Sequence, residues 1–396
     1  MESPIANGER GGMPHPRSAA RPCRVGPFVL PMPAMQAGLA GYSDMAMRVV
    51  ARRRGCPYAV TEALLDQVLL RGGRGLEKGA ILCAADHPVA GQLMGSETEE
   101  LAAAAKVLLE AGFDVIDLNF ACPVRKVMGR CRGGYLLSDP RQAIAIMRRV
   151  RDVVPGPLSV KLRRALNDSP QAADWFDEVF NEAVALQFAA IAVHGRTVEQ
   201  KYTGTADWGF LAGLKRRLTG NADAGTRRRG DAETGPADAI AASPAPRVPA
   251  SSPSLFGSGD VFTAADALRM YETTGLDGIW IARGAIGNPW IFEEFAALLR
   301  GEPLPPPPTI HMQREALWEH FLLAVEIYGE ALASRQMRKL GIKYAKLHPN
   351  GPAVWKEFIA VKNQAQWEEV LRRHYTLDGP GIRVGSVPDA EDVCNI

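Results

Sequence analysis

No stretch of this sequence reaches the ~18 consecutive apolar residues that a transmembrane helix requires, so a membrane-spanning chain is not expected. The N-terminal segment "MESPIANGERGGMPHPRSAARP" lacks the apolar centre of a secretory signal. Charge of one sign is also lacking. Against 46 Lys and Arg stand 44 Asp and Glu, a net charge of +2, so a nucleic-acid partner would have to be met by a local basic patch. The six cysteines, at 23, 56, 83, 122, 131 and 394, show no metal-ligand spacing. No metal is therefore expected. Without an export signal, the thiols are expected reduced and the protein cytoplasmic.

Hydrophobic residues make up 46% of the chain, enough for one large domain and a smaller one. Residues 1–26 read as a disordered leader. From 27 to 300, short apolar runs alternate with amphipathic ones. Strands are expected near 35–39, 57–62, 89–93, 114–119, 157–162, 189–194, 254–257 and 277–282. Several are continuous apolar runs, as in parallel strands covered on both faces. Between them, "SETEELAAAAKVLLEAG" offers Ser96 as N-cap with Glu99 in a capping box and Gly112 at its end. "SDPRQAIAIMRRV" offers Asp139 as N-cap with Pro140 in the first turn. Eight strand–helix units predict a (β/α)8 TIM barrel.

Residues 216–253 lack apolar periodicity and read as a disordered insertion. A proline-rich linker at 301–308 ends the barrel. Residues 309–375 carry helical spacing only and predict a small all-α domain of three or four helices; 376–396 read as a loose tail.

In a TIM barrel the chemistry lies on loops after the C-terminal ends of the strands. Small residues in "QAGLAGYSD" after the first strand suit a flat ligand. Gln92 ends the third strand with an amide able to bond a heterocycle edge. Lys161 sits in an apolar strand, a costly place without an anionic partner; a Schiff-base role is the other option there. His194 and Arg196 end the sixth strand. Gly257, Ser258 and Gly259 end the seventh, and Ala282, Arg283 and Gly284 the eighth, the usual places for a phosphate in this fold. The fourth strand empties into "NFACPVRKVMGRCRGG". Its Cys122 lies in cationic, breaker-rich surroundings that suit a mobile lid over an anionic substrate.

"DLNFACPVRKV", "VHGRT", "YTGTADW", "GSGD" and "RGAIGNPWIF" occur in the order found in tRNA-dihydrouridine synthases, and over residues 28–375 the chain resembles a divergent, bacterial-type branch of that family. The departures are "AGLAG" where the family has Ala-Pro-Met-Ala-Gly, Ala121 before the cysteine, and Ser258 in the seventh loop. The resemblance implies FMN at the barrel mouth. Ala37, Gly38 and Leu39 would lie along the flavin. Gln92, Lys161 and His194 would meet its polar edge or ribityl chain. Gly257, Ser258, Gly259, Ala282, Arg283 and Gly284 would hold its phosphate. NADPH would reduce the flavin, hydride would pass from N5 to C6 of a tRNA uracil, and Cys122 would protonate C5 as general acid.

Asn119, Arg163 and Arg196 are expected at the substrate. Arg125 and Lys126, with Arg130 and Arg132, are expected to meet RNA phosphates. In "SRQMRKLGIKYAK" (334–346), Arg335, Arg338, Lys339, Lys343 and Lys346 predict a basic helix contacting tRNA. No obligate protein partner is expected. Three rivals share parts of this pattern: a flavin barrel acting on a free pyrimidine, a Lys161 aldolase, and a tRNA-binding protein without flavin.

Overall fold

A computed structural model describes residues 22–73, 80–229 and 252–385, with backbone alone for 221–229. Residues 1–21 of the expected leader, 230–251 of the expected insertion and 386–396 of the expected tail lie outside the described residues.

Strands β1 (Cys23–Val25) and β2 (Phe28–Leu30) form an antiparallel hairpin. There follow β3 (Ala34–Gln36), β4 (Ala59–Val60), a short β5 (Leu64–Leu65), β6 (Val89–Met94), β7 (Val115–Phe120), β8 (Leu158–Arg163), β9 (Ala190–His194), β10 (Ser254–Ser258) and β11 (Gly278–Ile281). Neighbours from β3 to β11 pair in parallel, and β4 pairs with β6 to close an eight-stranded ring, with β5 set beside β6. Each of the eight expected strands is present.

Helices α1 (Met45–Arg53), α2 (Asp66–Arg71), α3 (Thr98–Glu110), α4 (Arg125–Met128), α5 (Pro140–Val153), α6 (Pro170–Ala185), α7 (Trp208–Arg229), α8 (Ala264–Thr274) and α9 (Ile291–Leu299) lie between and after the strands. Local chemistry explains their starts. Asp139 accepts from the Gln142 N–H and Pro140 opens α5, as expected. Thr263 and Asp266 form a reciprocal capping box on α8. The expected Ser96 cap is not formed: α3 starts one residue later, after Glu97, with no side-chain cap.

The period of two along each strand sorts the side chains. Ile116, Leu118 and Phe120 of β7, and Leu158, Val160 and Leu162 of β8, join the large core under the helices. Val115, Ala190, Ala192, Phe256 and Trp280 face the barrel interior, and Cys23, Val25 and Leu30 of the hairpin join them there. The hairpin thus plugs the N-terminal end of the barrel. Residues 23–25 are therefore strand, not leader, because their apolar side chains have a core to enter. Helix α7 likewise runs through Arg229, well into the expected insertion.

Beyond the linker stand α10 (Ile310–Tyr328), α11 (Glu330–Gln336), α12 (Arg338–Tyr344), α13 (Gly351–Ala360) and α14 (Gln364–His374), five helices instead of three or four. Trp367 is their centre. Its ring lies 5.1 Å from Phe321 and 4.7 Å from Phe358, and its Nε1 donates to Ser334 O at 3.1 Å. The domain docks on α1, where Tyr328 Oη donates to Asp44 Oδ2 at 2.9 Å. The expected loose tail is tied down through 385: Ile382 N–H bonds Leu347 O, and Arg383 pairs with Glu294. Among the described residues no helix is long and apolar enough to cross a membrane.

Arg48 on α1 and Asp86 before β6 form a fully buried pair. Arg48 Nε lies 2.9 Å from both carboxylate oxygens, and its Nη1 donates to Ser43 O at 2.9 Å. Asp86→Ala would strand the guanidinium without water. It should cost about 3–5 kcal/mol in urea unfolding; a loss under about 1 kcal/mol, the size of an exposed pair, would contradict this role.

Candidate active site at the barrel mouth

Asp117 and Asn119 on β7, Ser159, Lys161 and Arg163 on β8, His194 on β9, Ser258 on β10 and Ala282 after β11 occupy the inward positions of their strands. With Ala37 and Gln92 they ring the C-terminal mouth. The register sets Asn119 beside Lys161, and His194 beside both Arg163 and Ser258. The structure therefore brings together most of the expected cofactor residues.

Lys161 is buried and has little protein to bond. Its Nζ reaches Leu162 O only at 3.4 Å and stands 5.5 Å from the Trp280 ring centre. Burial and the neighbouring Arg163 push its pKa down, and Asp117 opposes them. His194 accepts the Arg196 N–H on Nδ1 at 3.1 Å, which places the ring proton on Nε2. Burial, then the surrounding cations, hold it well below the ordinary histidine range, so it stays neutral. Gln92 is also buried, bonded through Nε2 to Asp117 Oδ2 at 2.8 Å and through Oε1 to Asn119 Nδ2 at 2.7 Å. Gly38 presses on the Thr61 carbonyl, where a Cβ would stand 2.2 Å from the oxygen. Leu39 closes the turn that follows, its carbonyl accepting the Tyr42 and Ser43 N–H groups.

The phosphate group of residues is only partly as expected. Gly257 faces outward: a Cβ there would meet Leu276 of the helix layer at 2.3 Å. Its place follows from alternation with inward Phe256 and Ser258. Gly259, at φ +115°, lies against the His194 ring, and Gly284 packs on the Val261 and Phe262 backbone. Arg283 stands 3.9 Å from Asp260, with its guanidinium over the Tyr202 and Phe262 rings at 5.2 and 4.7 Å.

Three residues expected at the substrate are bonded within the protein. Asn119 Oδ1 accepts the Ala121 and Cys122 N–H groups, both at 3.1 Å. Arg163 donates from Nε to Ala121 O at 3.0 Å, and from Nη1 to Thr197 O and Lys201 O. Arg196 pairs with Asp260 at 2.8 Å and donates to the Thr203 and Gly204 carbonyls. Buried guanidiniums need acceptors, and the loop carbonyls supply them.

The Cys122 loop is built, not loose. It carries α4 and a 3-10 segment (Gly133–Ser138), and Gly134 N–H bonds Cys122 O at 3.0 Å. Gly133 takes φ +60°, where a Cβ would strike Cys122. Arg125, Lys126 and Arg130 are exposed, but Arg132 is buried 3.7 Å from Asp66, against expectation. The basic segment 334–346 spans α11 and α12, which meet at Met337 with helical backbone and an i to i+4 bond on either side. Arg335 is exposed, and Arg338 and Lys343 are partly so. Lys339 turns to the barrel, donating to Gly41 O with its ammonium 4.8 Å from the Tyr42 ring centre.

Asp117, Asp260 and Tyr202 went unread in the sequence. Asp117 had a signal: an acid two residues before Asn119 in an apolar strand must face the same side. Asp260 and Tyr202 meet their arginines only in three dimensions.

The Cys122 thiol is pushed up by burial, against the Val124 N–H and Arg163, which lower it. It therefore carries its proton at neutral pH. Iodoacetamide should alkylate Cys122 at pH 8 more slowly than a cysteine in an open peptide, which titrates near about 8.5, and the rate should keep rising above that pH. Peptide mapping measures it; a rate that levels off below pH 8 would refute a retained proton.

Comparison with known proteins agrees with this arrangement. The model of the dihydrouridine synthase (Dus) family matches residues 35–220 and 250–377. A probable tRNA-dihydrouridine synthase of Mycobacterium tuberculosis is 30% identical over 90% of this chain and 85% of its own length. The tRNA-dihydrouridine synthase B of Xanthomonas campestris is 28% identical over 89% and 95%. That of Pseudomonas putida is 29% identical over 91% and 98%. With the family's model matched along both the barrel and the helical domain, this chain belongs to the tRNA-dihydrouridine synthase family.

Proposed function

We propose that this oxidoreductase reduces the C5=C6 bond of a tRNA uridine to 5,6-dihydrouridine, with FMN as its cofactor, NADPH as the reductant and Cys122 as the proton donor. The observation that carries the reading is the Cys122 thiol, its backbone braced by Asn119 and Gly134 at the rim of a mouth where Gln92, Lys161 and His194 converge. The donor set fits a flavin. Lys161 is a buried amine, its pKa pushed down to about 7 by burial and Arg163, with only one long bond to the protein, and His194 offers an Nε2–H from a neutral ring. Ala37, Gly38 and Leu39 would lie along the ring system. Ser258, Gly259, Ala282, Arg283 and Gly284 would surround the phosphate; Gly257 belongs to the barrel wall behind them.

Bound there, FMN would supply hydride to uracil C6. Adding hydride at C6 pushes the π electrons onto C5, conjugated with a carbonyl, and C5 then needs a proton. Cys122 is suited to give it, because burial keeps the proton on sulfur until that charge develops. The thiolate left behind regains a proton from solvent. To reach the mouth the base must leave its stack.

The helical domain stands beside the mouth, since Lys339 bonds the loop after β3. Exposed Arg125, Lys126 and Arg130 on one side, and Arg335, Arg338 and Lys343 on the other, form the basic surface for tRNA backbone. Arg163, Arg196 and Asn119 act by holding the site together.

Two outcomes follow. Cys122→Ala should lower dihydrouridine formation by about 10²–10⁴ with flavin content retained. Mapping dihydrouridine in tRNA from cells with and without the gene reads the activity itself, and an unchanged map would overturn the proposal. Replacing Arg125, Lys126 and Arg130 together by Ala should weaken tRNA binding and flatten its log–log salt slope by about 2–3, leaving thermal stability unchanged. An unaltered slope would remove this loop from the interface.

A further inference from the structure

The reading above gives Asp117 and Ser159 no part. Yet Asp117 is a fully buried carboxylate inside the barrel, a position that is costly unless every lone pair is used. Its oxygens are both engaged. Oδ1 accepts from Ser159 Oγ at 2.5 Å, and Oδ2 accepts from Gln92 Nε2 at 2.8 Å.

A carboxylate only accepts, while a primary amide has a donor end and an acceptor end. Once Gln92 turns its NH₂ to Asp117, its Oε1 must face the other way. It does, accepting from Asn119 Nδ2 at 2.7 Å. That in turn fixes Asn119. Its Oδ1 faces the Ala121 and Cys122 N–H groups at 3.1 Å each. The same two residues are held from behind, Ala121 O by Arg163 Nε and Cys122 O by the Gly134 N–H, both at 3.0 Å. The chain of bonds therefore has one direction, set at one end by the carboxylate and at the other by the two backbone N–H groups. If position 117 offered Gln92 a donor, that bond could form only if Gln92 and then Asn119 turned over. The Asn119 NH₂ would then face two N–H groups, and the hold on Cys122 would be lost.

We propose that Asp117 is a positioning residue for the proton donor: its carboxylate orients an Asp117–Gln92–Asn119 amide relay that fixes the backbone of Cys122. The proposal rests on the reading of Cys122 as the general acid.

Three measurements on the FMN-loaded protein test it: flavin reduction by NADPH without tRNA, flavin reoxidation by tRNA in H₂O and D₂O, and iodoacetamide labelling of Cys122 followed by peptide mapping. Asp117→Ala should slow reoxidation by about tenfold or more, since misplacing a reacting group by about 1 Å costs up to about a hundredfold. The solvent isotope effect should grow, flavin reduction should slow less than reoxidation, and Cys122 should label faster. Asp117→Asn can keep its carbonyl on Gln92 by turning its NH₂ to Ser159, so it should recover most of the wild-type behaviour. Should Asp117→Ala not fold, Ser159→Ala carries the same readouts with smaller changes of the same sign.

Equal slowing of both half-reactions by the alanine variant, or unchanged Cys122 labelling, would overturn the proposal. A wild-type protein whose flavin tRNA does not reoxidise would overturn the acid reading instead. Labelling needs no turnover, so it separates the two failures.

Discussion

A closed parallel barrel gives each side chain only two destinations, and the rest of this molecule depends on that division. Outward positions must be apolar to meet the helices, and Ile116, Leu118, Phe120, Leu158, Val160 and Leu162 meet them. Inward positions are crowded and dry. The lower ones are filled by Val115, Ala190, Ala192 and Phe256, with the β1–β2 hairpin beneath. The upper ones cannot all be apolar if the mouth is to do chemistry. Polar groups placed there must then bond one another or a ligand. Asp117, Gln92, Asn119 and Ser159 bond one another. Lys161, with a single 3.4 Å bond, has the least protein to turn to. The mouth thus separates into a satisfied polar frame and a cation left for something that binds.

The same accounting explains the arginines. Arg163 and Arg196 lie at the mouth, but they are bonded to the Ala121, Thr197, Lys201, Thr203 and Gly204 carbonyls and to Asp260. They pin three loops that no strand ladder holds. Charge for an RNA backbone has to come from side chains that water still reaches, and Arg125, Lys126, Arg130 and Arg335 are such side chains. A net charge of +2 is no obstacle to this. Phosphate recognition needs cations gathered on one face, and the acids of the chain pair elsewhere, as Asp86 does with Arg48 and Asp277 with Lys215.

Much of this was legible in the sequence because it rests on local signals. Continuous apolar runs mark strands buried on both faces, and Asp139–Pro140 marks a helix start; both survive folding unchanged. His194 and Lys161 were legible as polar ends of apolar strands. Gly257 was misread because a glycine in a loop motif and a glycine in a barrel wall look alike until the register is fixed. For Arg163 and Arg196 the sequence shows a guanidinium but not the carbonyls around it. The basic run 334–346 was legible as helical spacing, but spacing does not show what each side chain bonds. Lys339 looked like an RNA contact because its acceptor, Gly41, lies 298 residues away.

That last contact also ties the two domains to one site. The Gly41 peptide is held from both sides, its N–H by Glu62 Oε2 at 2.6 Å and its carbonyl by Lys339. Three residues on, Asp44 caps α1 through Oδ1 and accepts the Tyr328 hydroxyl through Oδ2. The loop from Ala37 to Asp44, whose Ala37, Gly38 and Leu39 are proposed to lie along the flavin, is therefore shaped as much by the helical domain as by the barrel. Burial lowers the Lys339 pKa while the charges of Asp44 and Glu62 oppose it, and its ammonium is bonded to the Gly41 carbonyl. A helical domain that only captured RNA could be attached anywhere on the barrel. One that sets the loop beside the cofactor has to be docked at the mouth, and that is where Tyr328 and Lys339 place it.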